Sequence, residues 1–400
     1  MPRKPRPARR ETMPMTALRN VMLREMRLLA THRVYLFSMV VAPLLTCLFF
    51  TTLMHEGQPH DLPLGFVDLD RTASTRALAR NLDAFQATRV ARRYASFTEA
   101  RRAMQRGDIY GFYLVPEGTT ARLVRGESPE VSFYVNDSYL IAGSLLYRDQ
   151  RMMSELFAGA AVRTTLRARG ATEAQAMAFL QPIAVDTHPV GNPALNYNVY
   201  LSPTLLPGML ALFVLLVTTY ALGMEVKYGS AKAWLATAGG SMARALAGKL
   251  LPQTALFTLT GGAIVAWLFG ALHFPCASGV GPMLASVFLL VAASQGLGVL
   301  FFTALPVPRL AMSAASLWGV LSFSLCGMTF PVMAMPAALQ GLSFLFPLRH
   351  YFLLYVNCAL DGYPLAAAWP FAAALAGFAM LAWLCVPALG AIFRKAEYQR

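Results

Sequence analysis

The sequence is poor in charge. Of its 400 residues only 14% are Asp, Glu, Lys or Arg, whereas 56% are apolar and the mean hydropathy is +0.48. That balance excludes an ordinary soluble chain of two or three domains. Catalytic signatures are missing too. In the string nearest to G-x-x-x-x-G-K-[ST], Ala243 stands where the first glycine belongs and Leu250 follows Gly248-Lys249, so the chain has no phosphate-cradling loop of its own. H-E-x-x-H and G-x-S-x-G do not occur, and His32, His55, His60, His188, His273 and His350 stand isolated. The five cysteines (Cys47, Cys276, Cys326, Cys358, Cys385) lie in or beside apolar stretches without a C-x-x-C, so neither a disulfide framework nor a metal site is expected. No cleavable signal peptide is expected either, because the first apolar run starts only at Val34 and lacks a small-residue cleavage motif.

What is present is a set of charge-free apolar windows long enough for the ~30 Å hydrocarbon core. Six qualify: 34–54, 204–224, 250–272, 283–305, 310–330 and 366–393. They contain no Asp, Glu, Lys or Arg. Pumps and channels place such groups in the bundle, so energy for any transport is expected to arrive from outside it. Pro43, Pro207, Pro252 and Pro387 fall inside the windows, where kinks are expected and neighbours can satisfy the freed carbonyls.

The net charge of +14 is unevenly spread: residues 55–200 hold 16 Lys and Arg against 15 Asp and Glu, leaving 18 basic and 5 acidic residues elsewhere. Nine of those basic residues precede Val34 (Arg3, Lys4, Arg6, Arg9, Arg10, Arg19, Arg24, Arg27, Arg33). Lys227, Lys232, Arg244 and Lys249 lie between windows two and three, Arg309 between four and five, and Arg394, Lys395 and Arg400 at the end. The positive-inside rule then predicts cytoplasmic termini and an extracytoplasmic block between the first two spans, with Arg349 the lone outer exception. No nucleic-acid partner is implied.

That block alternates strand and helix signals: strands at 62–67, 89–94, 109–115 and 131–135, helices at 74–85, 98–106 and about 139–169, with Gly107 as a helix stop. It reads as an α/β domain over 55–203, its proline-rich end (Pro182, Pro189, Pro193, Pro203) leading back to the membrane. Asp68-x-Asp70 has too few ligands for a cation site and reads as a turn and helix cap. The segment 225–249 combines a charged start, a short amphipathic helix around Ser230 to Thr237, a Gly239-Gly240 break and a second helical entry into the third span. It reads either as an ordinary surface loop or as a coupling element for a cytoplasmic motor.

These residues resemble the ABC type-2 permease family, the membrane subunits of ATP-binding-cassette exporters, in the branch with a large domain between the first two spans. Arg24-Glu25-Met26-Arg27 looks like the family's N-terminal interfacial helix, and the stretch Leu64 to Arg76 like its V-D-x-D-x-S-x-x-S/T-R opening. Gly107 to Pro116 resembles G-x-x-x-G-x-x-x-I-P, and Asn192-Pro193 the N-P before span two. The loop from Glu225 is similar to the E-x-x-x-G-T coupling segment, and Phe330 to Tyr351 to a re-entrant outer segment. Gly223-Met224 and Ala238 depart from the family's usual Arg and Pro.

The resemblance implies an α-helical integral membrane protein with six transmembrane helices and an inserted extracytoplasmic α/β domain. Its parts would be a cytoplasmic segment 1–33, spans 34–54, 204–224, 250–272, 283–305, 310–330 and 366–393, the domain 55–203, a coupling loop 225–249, a re-entrant segment 331–365 and a tail 394–400. It implies ATPase coupling through Glu225, Gly229, Ser230, Gly248 and Lys249, and an interfacial helix carrying Arg24, Glu25 and Arg27. The chain would bind no cofactor, with ATP and Mg on separate cytoplasmic ABC ATPase subunits. It would pair with a second permease subunit, identical or paralogous, in a bacterial inner membrane and export a lipophilic or drug-like substrate; relatives of this branch often work with a periplasmic adaptor protein and an outer-membrane channel. The alternative is a non-transporting scaffold or sensor whose outer domain binds a ligand.

Overall fold

The computed structural model describes residues 14–183 and 185–395. The N-terminal residues Arg3, Lys4, Arg6, Arg9 and Arg10 and the end of the tail with Arg400 lie outside them. The chain divides into two compact units, an α/β unit Glu56–His188 and a helical unit formed by the described residues on either side in sequence. Residues 189–203, expected to belong with the α/β domain, group with the helical unit.

The chain opens with α1 (Pro14–Thr31) and α2 (Arg33–Leu53). In α1 the residues Ala17, Val21, Glu25 and Leu29 are buried, an i, i+4 stripe that a helix presents on one face. In α2 a π turn over Phe37–Val41 comes just before Pro43, whose missing N–H cannot bond to residue 39.

The α/β unit follows with β1 (Leu62–Asp68), α3 (Ala73–Asp83), β2 (Thr88–Tyr94), α4 (Phe97–Arg106), β3 (Gly111–Val115), α5 (Thr119–Val124), β4 (Ser132–Val135), α6 (Leu140–Ala168) and α7 (Glu173–Leu180). The strand order is β2-β1-β3-β4, with β1 parallel to β2 and β3, and β3 antiparallel to β4. One face buries Leu64, Phe66 and Tyr113 against Leu78 and Leu82 of α3 and Leu146 and Met153 of α6. The other packs Val67 and Phe112 on Ala100 and Ala103 of α4. Alternation along the strands therefore feeds two cores. Gly65 is required there, since a Cβ would lie 2.8 Å from Ile109 Cδ1 and 2.9 Å from the Tyr94 ring. Gly107 ends α4 in the left-handed conformation at φ +81°.

The Asp68 carboxylate accepts from the Arg71 amide and the Thr75 hydroxyl, both at 2.8 Å, and Asp70 accepts from the amide and hydroxyl of Thr120. Thr72 caps α3. Asp68 thus serves the turn and Asp70 ties it to the start of α5, and among the described residues there is no group of three metal-ligating side chains.

The helical unit resumes with α8 (Tyr197–Lys227), α9 (Ala231–Thr237), α10 (Met242–Ala271), α11 (Val280–Ala304), α12 (Pro308–Leu325), α13 (Ala337–Ser343), α14 (Pro347–Tyr355) and α15 (Trp369–Lys395). Among the described residues five helices, α2, α8, α10, α11 and α15, are long and apolar enough to cross a membrane. The sequence predicted six. Window 310–330 became α12, which has 18 residues and so measures about 27 Å, just short of the hydrocarbon core, with Arg309 in its first turn.

Pro203 and Pro207 lie buried inside α8. Each ring deprives the carbonyl four residues earlier of its helical donor. Those two carbonyls, of Val199 and Pro203, accept instead from the hydroxyls of Tyr355 at 3.1 Å and Tyr351 at 3.2 Å. The tyrosines stand one turn apart on α14, as the prolines do on α8, so one helix repairs the other.

Candidate functional site

A 31-residue helix is about 46 Å long, some 15 Å more than the hydrocarbon core. The surplus of α8 carries Glu225 near its C-terminus, and the early turns of the 30-residue α10 carry Lys249. The polypeptide between them turns at Gly229, forms α9, turns again at Gly239-Gly240 and starts α10 at Met242 behind a Ser241 cap. The last eight residues of the predicted loop 225–249 are therefore already helix.

Glu225 sits at the centre of a buried polar cluster. Arg24 of α1 grips it with two bonds, Nη1 to Oε1 at 2.7 Å and Nη2 to Oε2 at 2.9 Å. Ser230 Oγ donates to Oε2 at 2.5 Å, and Lys249 Nζ stands 2.9 Å from Oε1. Lys249 Nζ also reaches Glu25 Oε2 at 2.9 Å, whose other oxygen accepts from Gln253 Nε2 at 2.7 Å. The ammonium lies 5.1 Å from the centre of the Trp234 ring. Glu25, Glu225 and Lys249 are only 1%, 3% and 1% exposed. Such burial is tolerable because two cations face two anions and nearly every lone pair is used. Burial works against charge on Arg24, but its bond to Glu225 and the negative charges of Glu225 and Glu25 together outweigh this and hold the guanidinium above its ordinary pKa.

Three of the elements meet here for steric as well as ionic reasons. A Cβ on Gly248 would lie 2.6 Å from Val21, so the glycine lets α1 pack against α10. Gly229 has open space around it but a φ of +65°, so it is the backbone that asks for glycine. Trp234 is fully buried, its ring edge-on to Phe393. The opposite side of α9 leaves Lys232, Ala233 and Ala236 exposed.

Of the eight residues singled out from the sequence, Arg24, Glu25, Glu225, Ser230 and Lys249 bond within this one cluster. Gly229 shapes the turn before α9, Gly248 lets α1 approach α10, and Arg27 is exposed and stands apart. Both carboxylate oxygens of Glu225 are engaged inside the chain. Gln253 was missed. Its signal was its place one turn after Lys249, on the same helix face.

Residues 33–386 match the family described as ABC-2 family transporter protein. The chain belongs to that ABC-2 family. No curated protein matches it. The match covers Glu225 to Gln253, whereas Arg24 and Glu25 precede it, so this ABC-2 chain completes its cluster with a helix outside the matched region. Family membership makes it a multi-pass membrane protein of the ABC transporter permease type and implies association with an ABC ATPase.

Proposed function

We propose that the chain is the permease subunit of an ABC exporter, driven by ATP that a separate cytoplasmic ATPase hydrolyses, and that it moves a lipophilic or drug-like substrate outward across a bacterial inner membrane. The carrying observation is the charge-paired cluster that ties α1, α8 and α10 together directly behind α9. In this reading the exposed side of α9, with Lys232, Ala233 and Ala236, meets the ATPase. Glu225, Gly229, Ser230, Gly248 and Lys249 pass the movement to α8 and α10, and Arg24 and Glu25 pass it to α1. The ATPase contact belongs to α9 and not to Glu225, whose oxygens are already occupied.

The distribution of basic residues supports cytoplasmic termini and an extracytoplasmic α/β unit. α12 serves as the sixth span, its short length made up at the interface. Two such chains form the transport unit, and a periplasmic adaptor with an outer-membrane channel takes the substrate onward.

The test is co-purification and transport with the partner ATPase. Lys232→Glu is expected to weaken ATPase binding while the chain's melting temperature stays unchanged, and to lower substrate-stimulated ATP hydrolysis and transport together. Wild-type transport in this variant and in Gly229→Val, at equal amounts in the membrane, would reduce the loop to a surface connection.

A further inference from the structure

The α/β unit contains two adjoining cavities that neither the transport reading nor the charge cluster uses. One, of about 570 Å³, lies between α3 and α6 and is lined by Leu78, Phe85, Met153, Leu156 and Phe157, with Ser74 and Asn81 its only polar side chains. The other, of about 490 Å³, lies between α5 and α6, where Leu123, Val124, Thr120, Thr165, Arg125 and Arg169 face it. Ser74, Phe157 and Ala160 line both, so the two form one groove, apolar at one end and basic at the other. Each part falls in the size range of small-molecule sites.

The basic end is only half neutralised from within. Arg125 is paired with Glu127 at 2.6 Å, and Asp70 is occupied by Thr120. The Arg169 guanidinium has no hydrogen bond or ion pair among the described residues, and no carboxylate lines either cavity. Its Nη2 lies 3.7 Å from the position a Gly126 Cβ would take, over the turn that follows α5. Small residues give the groove its depth, since Ala160, Ala161 and Ala168 of α6 line it where longer side chains would fill it. Leu156 and Val124, 57% and 84% exposed, leave apolar lining uncovered.

We propose that this groove binds one anionic amphiphile, a single long apolar tail ending in a carboxylate. The tail would lie along Leu78, Phe85, Met153 and Phe157, and the carboxylate would take the free fork of Arg169, a planar pair of donors that matches two carboxylate oxygens. One unpaired guanidinium calls for one negative charge. The proposal is independent of transport: a chain that binds such a molecule here and moves nothing still satisfies it.

The full chain in lipid nanodiscs should be irradiated with a long-chain fatty acid bearing a terminal diazirine, and the labelled peptides identified by mass spectrometry. Label is expected in residues 74–85 and 153–161. Arg169→Gln should lower it about tenfold, the effect of removing one charge-assisted contact. The methyl ester of the probe should label the wild type as weakly as the acid labels Arg169→Gln. Ala160→Trp, placed on an exposed position of the groove, should abolish labelling with the melting temperature unchanged. Label confined to the membrane helices, equal label from acid and ester, or full label in Ala160→Trp would overturn the proposal. So would a disulfide between two copies of Ala160→Cys, which would show that a second chain covers the groove.

Discussion

Lys249 is the residue on which the buried cluster depends most, because one ammonium serves the carboxylates of both Glu25 and Glu225. Replacing it with methionine leaves two anions out of water with too few counter-charges, a loss of about 3–5 kcal/mol for a buried pair broken on one side. Thermal unfolding in detergent should show a clear drop in melting temperature for Lys249→Met. A much smaller further drop should appear when it is introduced into Glu25→Gln, because the two residues share one interaction. Full additivity would mean that the pair is not coupled. The tyrosines of α14 make a second case at this scale. Tyr351→Phe and Tyr355→Phe each strip a donor from a carbonyl that a proline has already deprived of its helical partner. Each should cost about 1–3 kcal/mol, the penalty for a buried group left unbonded. If both variants melt with the wild type, water already serves those carbonyls.

At the scale of elements, the two glycines near the cluster should respond to substitution in opposite ways. Gly248 is a matter of space: its Cβ would meet both Cβ and Cγ1 of Val21 at 2.6 Å, so even alanine should push α1 away from α10, and Val21→Ala, which keeps that Cβ, should restore little of what is lost. Gly229 is a matter of backbone angle. Asparagine, which tolerates positive φ, should be accepted there and valine should not. The readout for both is transport by the reconstituted complex at matched expression. A Gly248→Ala variant with full activity would contradict the close packing of α1. Much at this scale was legible in the sequence, because it rests on short-range rules. Charge-free windows mark the apolar helices, short near-continuous apolar runs mark β1 and β3, and Gly107 marks the end of α4. What could not be read depends on contacts across long separations: Glu25 looks like any charged residue on an interfacial helix until Lys249 and Gln253, more than 220 residues away, are placed beside it. The helical entry after the Gly239-Gly240 break is legible too, and α10 starts there at Met242, since the early turns of a helix longer than the bilayer can hold charge. α12 is the marginal case: window 310–330 is free of charge, but the helix it forms starts at Pro308, takes Arg309 into its first turn and has only 18 residues.

For the whole molecule, topology and energy supply are the decisive properties. Cysteines introduced at Ser128 in the α/β unit and Ser230 beside α9 should differ in labelling by an impermeant thiol reagent on intact spheroplasts. Ser128→Cys should react and Ser230→Cys should not; the reverse pattern would invert the orientation. The measurement that bears most directly on the central claim is ATP hydrolysis and ATP-driven movement of lipophilic compounds in proteoliposomes, with the chain alone and with its co-purified Walker-motif partner. The account predicts no hydrolysis and no transport by the chain alone, and both when the partner is added, reduced together by Lys232→Glu. Hydrolysis by the isolated chain free of contaminants, or transport that proceeds without the partner, would contradict it.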